Sequence, residues 1–291
     1  MASEHELFAA GVTRLSMGEF NQLSSFVYEQ CGIKMPPSKK IMLESRLNKR
    51  LRALNIPSFK DYIPYLMSKE GQEHELIHMI DVVTTNKTDF FREPHHFDYL
   101  RENILPEFVS SPDGRRPFRI WSAACSTGEE PYTLAMVLHE FQEGHRNFDY
   151  QILASDISTA VLQKAAMAVY DMQRINGIPL ILKKKFFLKS KDNQKPSVRI
   201  IPSLRKKVQF QRINFMERLQ EVDTQFDVIF CRNVLIYFDR PTQQEVVQKL
   251  SGKLKPGGYL FIGHSESLYQ LDLPIVQIKP TIYQKTQYGK Q

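Results

Sequence analysis

This sequence has few cysteines and no long apolar run, and each of these features argues against a class of protein. The chain of 291 residues has three cysteines, and none of them forms a CxxC pair. Such scarcity argues against a disulfide framework or a zinc site and is usual in a reducing compartment. No apolar run approaches the roughly 20 residues that a membrane-spanning helix needs, and the first residues lack the pattern of a signal peptide. We therefore expect a cytoplasmic protein that does not insert into a membrane.

The positive charge of the chain is concentrated in two blocks. The net charge is +7, yet residues 34–52 hold seven basic residues against one acid, and residues 183–212 hold eleven against one. Each block could bind an acidic partner, and the alternative for each is a solvated face.

The first 83 residues predict a small all-α domain. Ser16 followed by Glu19 is a capping-box pattern, and Gly32 can end the helix that this box begins. The next predicted helix has leucines at spacings of four, four and three and basic residues on another face, so we expect it to be amphipathic with a cationic exterior. These residues are Leu43, Leu47, Leu51 and Leu54 on one side and Lys39, Arg46, Lys49 and Arg50 on the other.

From about residue 117 the pattern changes to alternating strands and helices. Predicted parallel strands are followed by two short β-like runs near residues 275–278 and 281–285. This order predicts an α/β fold, a doubly wound seven-stranded sheet with an antiparallel edge. The lysine-rich interval 176–207 fits neither pattern. We predict a small antiparallel β-insert there, although a disordered basic loop has a similar composition.

Polar side chains stand where predicted strands end. Arg232 and Asn233 follow the apolar run 228–231, Tyr237 lies four residues after Asn233, and Asp156 ends an earlier strand. Ligands of open α/β sheets bind beyond the carboxyl ends of the strands, so these residues indicate a site. The alternative for Arg232 and Asn233 is that they cap and solvate a strand-to-helix turn.

The turn after the first strand favours a cationic ligand over a phosphate. It holds one glycine, Gly128, where a dinucleotide site needs GxGxxG, and Glu129 and Glu130 follow at once. Asp156 is placed like the acid that binds ribose hydroxyls. A cationic, ribose-bearing ligand without phosphate describes S-adenosylmethionine. The alternative for the two glutamates is that they complement the positive end of a helix.

Five strings of residues resemble the chemotaxis receptor methyltransferases, the CheR family. They are residues 84–97, 121–132, 154–156, 230–239 and 263–266, in the family's order and at its spacing. The resemblance implies a methyltransferase that moves a methyl group from S-adenosylmethionine to glutamate side chains of membrane chemoreceptors. The products would be glutamate 5-O-methyl esters, which serve chemotactic adaptation, and S-adenosylhomocysteine. No metal is expected.

The resemblance also implies a division of the chain and a set of site residues. Residues 1–83 would dock the receptor, residues 84–98 would link to the cofactor pocket, and residues 99–291 would form the methyltransferase domain. Arg92 and Tyr237 are the candidates for positioning the reacting groups. The implied cofactor residues are Asn86, Thr88, Arg92, Glu130, Asp156, Asn214, Phe215, Arg232 and Asn233.

The implied partners are the cytoplasmic domains of chemoreceptors. The basic helix over residues 39–52 would bind their acidic methylation helices, and the β-insert could bind a peptide at the receptor's C-terminus. A monomer that binds no nucleic acid is expected. Two alternatives stay open: a nucleic-acid methyltransferase, which the sequence pI of about 9.2 motivates, and a non-catalytic scaffold that binds the receptor.

Overall fold

A computed structural model describes residues 13–192, 194 and 196–286. Their contacts form a helical unit of residues 13–85 and 237–239 and a sheet unit of residues 86–236 and 240–286. The outer ends of the predicted domains, residues 1–12 and 287–291, lie outside the described residues, as do positions 193 and 195 of the predicted insert.

The helical unit begins with the predicted capping box. The Ser16 hydroxyl accepts the Glu19 N–H and the Glu19 carboxylate accepts the Ser16 N–H, so the box is confirmed. Gly32 ends this helix in the left-handed conformation, also as predicted. The helices are α1 (Met17–Cys31), α2 (Lys40–Leu54), α3 (Phe59–Met67), α4 (Lys69–His74) and α5 (Leu76–Val83), with a 3-10 turn at Pro37–Lys39 before α2.

Three of the four predicted leucines of α2 are buried, and Leu54 is half-buried. Two of the four basic residues predicted for its exposed face bind inside the helical unit instead. The Arg50 guanidinium binds both carboxylate oxygens of Glu75, at 2.8 and 2.6 Å, and the Glu75 side chain is 1% exposed. The Tyr62 hydroxyl donates to the same carboxylate. Arg46 donates to the carbonyls of Val83 and Thr84 at the end of α5. Arg46 and Arg50 therefore hold the helices together, which corrects their assignment to an exposed face.

The strands of the sheet unit are β1 (Phe118–Ala123), β2 (Tyr150–Asp156), β3 (Val169–Asp171), β4 (Phe187–Lys189), β5 (Ser197–Ile200), β6 (Val208–Arg212), β7 (Phe226–Cys231), β8 (Leu254–Ile262), β9 (Ile275–Lys279) and β10 (Ile282–Lys285). Seven of them form the predicted sheet, in the order β6-β2-β1-β7-β8-β10-β9. Strands β6, β2, β1, β7 and β8 are parallel, and β10 is antiparallel to both β8 and β9. The predicted fold class is confirmed.

The α-helices of the sheet unit are α6 (His95–Tyr99), α7 (Leu105–Ser110), α8 (Glu129–Gly144), α9 (Thr159–Met167), α10 (Leu180–Phe186), α11 (Pro202–Arg205) and α12 (Arg240–Lys253). Of these, α8 and α9 pack against β2 and β6, and α12 packs against β8, as in a doubly wound fold. Strand β7 is buried along its whole length, as its apolar run predicted, and β1 is buried at every residue except Arg119. Within the described residues no helix is both long enough and apolar enough to cross a membrane.

The β-insert is confirmed as a small antiparallel sheet, but it begins earlier than predicted. Its strand order is β3-β5-β4, so it starts at Val169 and not near residue 176. It also contains α10, which the sequence did not predict. Strand β3 has only three residues, too few to show an alternating pattern, and the lysines of α10 look like a solvated loop.

The register of the parallel strands brings their carboxyl ends to one edge of the sheet. Ala123 pairs with Ser155 on one side and with Cys231 on the other, and Asp156 pairs with Arg212. The segments that follow β1, β2, β6 and β7 therefore leave the sheet at the same edge.

Candidate functional site

Asp156, at the end of β2, organises the loop that follows β1. The Asp156 side chain is buried, and its two oxygens accept the N–H groups of Ser126 at 2.9 Å and Ser158 at 3.0 Å. Ser126 has a left-handed backbone, with φ of 50°, and its hydroxyl donates to the Asn86 carbonyl at 2.9 Å. Asp156 thus fixes the β1 loop directly and the segment at Asn86 through Ser126.

The turn into α8 requires its glycine. Gly128 has a φ of 95°, and a Cβ atom at this position would lie 2.9 Å from both the Ala165 Cβ and the Tyr170 hydroxyl. A side chain would therefore be strained as well as crowded. The close approach holds the first turn of α8, with its two glutamates, against α9 and the β-insert.

The two glutamates after Gly128 have different environments. Glu129 is 1% exposed and accepts hydrogen bonds from the Thr127 hydroxyl and from the Arg174 guanidinium. Arg174 also donates to the Thr88 carbonyl and lies 3.2 Å from Asp89. Glu129 therefore holds the segment at residues 88–89 through Arg174. Glu130, not Glu129, is the glutamate whose side chain faces the strand ends.

Arg232 is a buried cation between two carboxylates. Its side chain is 2% exposed, and its guanidinium lies 2.9 Å from Glu130 and 3.0 Å from Glu93. The Ser122 hydroxyl, on β1, donates to the other Glu130 oxygen at 2.7 Å. Burial is the largest effect on the pKa of Glu93 and tends to raise it. The Arg232 charge and the hydrogen bonds from Arg232, His264 and Asn233 together outweigh burial, so the pKa lies below its ordinary value.

A second buried glutamate joins the loops after β7 and β8. Glu266 accepts the N–H groups of Asn233 at 2.9 Å, Leu235 at 2.7 Å and Gly263. A Cβ at Gly263 would lie 2.4 Å from the Asn233 side-chain nitrogen, so the two loops touch where only glycine fits. The Asn233 amide in turn donates to Glu93 at 3.3 Å. Burial raises the pKa of Glu266, and the backbone N–H groups oppose that rise.

Asn214 and Phe215 follow β6 and are held from α12. The Asn214 side-chain oxygen accepts the Met216 N–H at 3.1 Å, which makes a tight turn. The Lys249 ammonium donates to the carbonyls of Phe215 at 2.8 Å and of Met216 and Glu217 at 3.3 Å. Both predicted residues are buried at the sheet edge that carries Asp156.

Arg92 lies in a strained part of the linker. Phe91 and Glu93, on either side of it, have φ values of 53° and 56°, which side chains rarely adopt. The Phe91 N–H donates to the Thr133 hydroxyl at 3.1 Å, and the Arg92 carbonyl accepts a bond from Arg232. The Arg92 guanidinium donates to the Lys87 carbonyl at 3.1 Å and is half-buried. Strain of this kind concentrates at functional sites.

Tyr237 belongs by its contacts to the helical unit. Its carbonyl accepts the Lys34 N–H at 2.8 Å, and the Lys39 ammonium lies 5.3 Å from the centre of its ring. Two residues on, the Asp239 carboxylate accepts the Tyr28 hydroxyl at 2.9 Å. The predicted role of Tyr237 in positioning the reacting groups stays a prediction.

The charges of the sheet unit's site fit S-adenosylmethionine. Four carboxylates at the strand ends and in the linker face two guanidinium groups, so the negative charge is in excess; these groups are Glu93, Glu129, Glu130 and Asp156, and Arg174 and Arg232. Such a site attracts a sulfonium cation and repels phosphate. Carboxylates can also accept the hydrogen bonds of ribose hydroxyls.

Four residues of the site were missed as site residues by sequence reasoning: Glu93, Arg174, Lys249 and Glu266. Glu93 and Glu266 lie inside strings that resemble the family, so their position there was an available signal. Arg174 and Lys249 lie outside these strings, and their roles come only from tertiary contacts.

Comparisons with known proteins identify the family of this chain. Residues 86–283 match the family model described as CheR methyltransferase, SAM binding domain, and residues 18–84 match the CheR methyltransferase all-alpha domain. The chemotaxis protein methyltransferase of Borreliella burgdorferi is 39% identical over 93% of this chain and 95% of its own length. Chemotaxis protein methyltransferase 2 of Pseudomonas aeruginosa is 38% identical over 91% of this chain and 92% of its own length. The chemotaxis protein methyltransferase of Escherichia coli is 36% identical over 92% of this chain and 91% of its own length. This chain therefore belongs to the CheR methyltransferase family.

Proposed function

We propose that this protein transfers a methyl group from S-adenosylmethionine to glutamate side chains in the cytoplasmic domains of chemoreceptors. The products are glutamate 5-O-methyl esters and S-adenosylhomocysteine, and the reaction takes place in the cytoplasm. The observation that carries the proposal is the anionic site at the carboxyl ends of β1, β2 and β7, in a chain of the CheR methyltransferase family.

The proposed binding roles are those that the family resemblance implies, and the positions of Asp156, Glu130 and Arg232 at the strand ends support them. Asp156 would accept the ribose hydroxyls, Asn214 and Phe215 would flank the adenine, and Glu130 with Asn86 and Thr88 would line the rest of the pocket. Arg232 fixes Glu130 by their ion pair, and Asn233 closes the pocket after β7. When bound, S-adenosylmethionine supplies an electrophilic methyl group on a sulfonium.

The substrate requires orientation more than activation. A glutamate carboxylate has an ordinary pKa of about 4.3, so it is already a nucleophile at neutral pH and needs no general base. Arg92 and Tyr237 would position this carboxylate through hydrogen bonds, for which a guanidinium is well suited. Exclusion of water would favour the transfer, because the reaction neutralises an anion and a cation.

We propose that the receptor docks on the basic side chains of α2 that are exposed. Lys49 and Arg52 are exposed, whereas Arg46 and Arg50 bind inside the helical unit. Acidic receptor helices carry the complementary charge, so residues 39–52 keep a proposed docking role through these exposed cations. The β-insert is the proposed site for a receptor C-terminal peptide, and the proposed enzyme is a monomer.

A nucleic-acid methyltransferase is the less favoured function. Lys185 is paired with Glu140 and Glu143, and Lys207 with Asp149, so part of the second basic block is neutralised within the protein. Methylation of cytosine at carbon 5 needs a reactive cysteine. Burial raises the pKa of the Cys231 thiol well above its ordinary value, which keeps the thiol inert.

The test is methyl transfer from S-adenosylmethionine with a labelled methyl group to a purified chemoreceptor cytoplasmic domain. The expected label is in the receptor and is released by mild base, as a methyl ester is. Base-stable label, or label in added nucleic acid, would contradict the proposal. Binding of the cofactor without any transfer would favour the scaffold.

The variant Asp156→Ala tests whether the cofactor binds at the site beyond β2. We expect its affinity for S-adenosylhomocysteine to fall at least about tenfold in a calorimetric titration, because charged hydrogen bonds to the ribose are lost. The matched control is Asp149→Ala, which removes an acid just before the start of the same strand whose partner is Lys207. Unchanged affinity in Asp156→Ala would remove Asp156 from the site.

A further inference from the structure

Three histidine side chains meet beside the proposed cofactor residues. His95 and His96 begin α6, and His264 follows β8. Each ring offers one nitrogen, and these three nitrogens lie within 4.8 Å of one another. The His95 and His264 rings are stacked, and their Nε2 atoms are 3.0 Å apart. Two imidazole nitrogens on one tetrahedral zinc ion, each at ~2.0–2.1 Å from it, are about 3.3 Å apart, so this pair has nearly the spacing of metal ligands.

The hydrogen bonds of His96 fix which of its nitrogens carries the proton. The Thr281 hydroxyl donates its hydrogen to the Pro280 carbonyl at 2.6 Å. The hydroxyl oxygen must then accept from His96 Nε2, which lies 2.7 Å away. Nε2 therefore holds the hydrogen of the neutral ring, and Nδ1 has only a lone pair.

That lone pair is buried beside a carboxylate. The His96 side chain has no exposed surface, and its Nδ1 finds no hydrogen-bond partner among the residues that the structure describes. The nearest charged oxygen is Glu93 Oε2, at 3.6 Å. A lone pair and a carboxylate repel each other, and a cation bound by Nδ1 would be attracted to both.

We propose that His95, His96 and His264 form a binding site for a divalent transition-metal ion, with Zn²⁺ as the best fit. Three imidazole nitrogens suit zinc and its neighbours and do not suit Mg²⁺ or Ca²⁺, which prefer oxygen ligands. His96 binds through Nδ1, and its Nε2 bond to Thr281 is the outer contact that orients such a ligand. His95 and His264 are exposed, which gives the ion a path from solvent.

Glu93 lies between the three histidines and the proposed cofactor residues. This carboxylate faces His96 on one side and pairs with Arg232 on the other. The metal is not required for methyl transfer in this proposal, since the reaction needs neither a Lewis acid nor a metal-bound nucleophile.

The test uses the full chain after removal of metals with a chelator. Titration with Co²⁺ should give the visible absorption of a low-coordinate complex that saturates at one equivalent, and Zn²⁺ should displace it. His95→Gln and His264→Gln, both at exposed positions, should each weaken Zn²⁺ binding at least about tenfold in calorimetry. His78→Gln is the matched control, an exposed histidine of α5 outside the cluster.

Two results would overturn the proposal. One is that the wild-type protein takes up less than one equivalent of both ions. The other is that His95→Gln and His264→Gln bind Zn²⁺ as His78→Gln does, which would place the ion on other histidines. Thermal unfolding of each variant without metal shows whether the fold is intact.

Discussion

The two units each bury a charged side chain, and they do so in opposite ways. In the helical unit Glu75 is matched by Arg50 and the Tyr62 hydroxyl, so the cluster is neutral and its bonds are complete. In the sheet unit Arg232 stands between Glu93 and Glu130, and the carboxylates outnumber it. Buried charge by itself therefore does not identify a site. An unbalanced buried cluster at strand ends indicates a ligand that completes the balance.

The largest expected effect comes from removing the cation of the unbalanced cluster. Arg232→Met keeps the apolar stem of the side chain but leaves two largely buried carboxylates without their cationic partner. The free energy of unfolding should fall by about 3–5 kcal/mol, and cofactor binding should be lost. Denaturant unfolding and calorimetric titration measure the two effects. A variant with wild-type stability would show that Glu93 and Glu130 do not depend on Arg232.

Glu75→Gln makes the corresponding change in the balanced cluster. The Arg50 guanidinium loses its charged partner, and since Arg50 is partly exposed we expect a loss of about 1.5–3 kcal/mol of stability. Affinity for S-adenosylhomocysteine should stay that of the wild type. If cofactor affinity fell as it does in Arg232→Met, the distinction between a structural and a ligand-binding cluster would not hold.

The smallest expected effect comes from exposed basic residues of α2. Lys49→Glu with Arg52→Glu should raise the KM for receptor about two- to tenfold, because exposed ion pairs are individually weak. Added salt should weaken methylation by the wild type more than by this variant. Lys60→Glu with Lys69→Glu is the control, since it makes the same change of net charge at exposed positions of α3 and α4. Equal KM values in the two double variants would exclude α2 as the docking surface.

Local patterns were enough to predict much of the fold. The capping box at Ser16 and the apolar run of β7 depend on neighbours in sequence, and the structure has both. Strand β3 and helix α10 were missed, because the first is too short to show a period and the second has the composition of a loop.

The site was predictable only in its outline. Asp156 and Arg232 stand at strand ends, which a sequence pattern can identify. That Glu129 is held by Arg174, and that Arg50 is held by Glu75, depends on partners 45 and 25 residues away. No periodicity encodes such a pairing, so Glu129 and Glu130 looked alike in sequence.

The link between Arg174 and the linker bears on how this protein could be re-engineered. Arg174 follows β3, the first strand of the insert, and it holds Thr88 and Glu129. A chimera joined at residue 176 would exchange most of the insert and keep this arginine. A chimera joined at Val169, the true start of the insert, would remove it and release the linker. The turn after the first strand of the insert thus contacts the linker and the first turn of α8, so a graft of the insert should leave β3 and Arg174 in place.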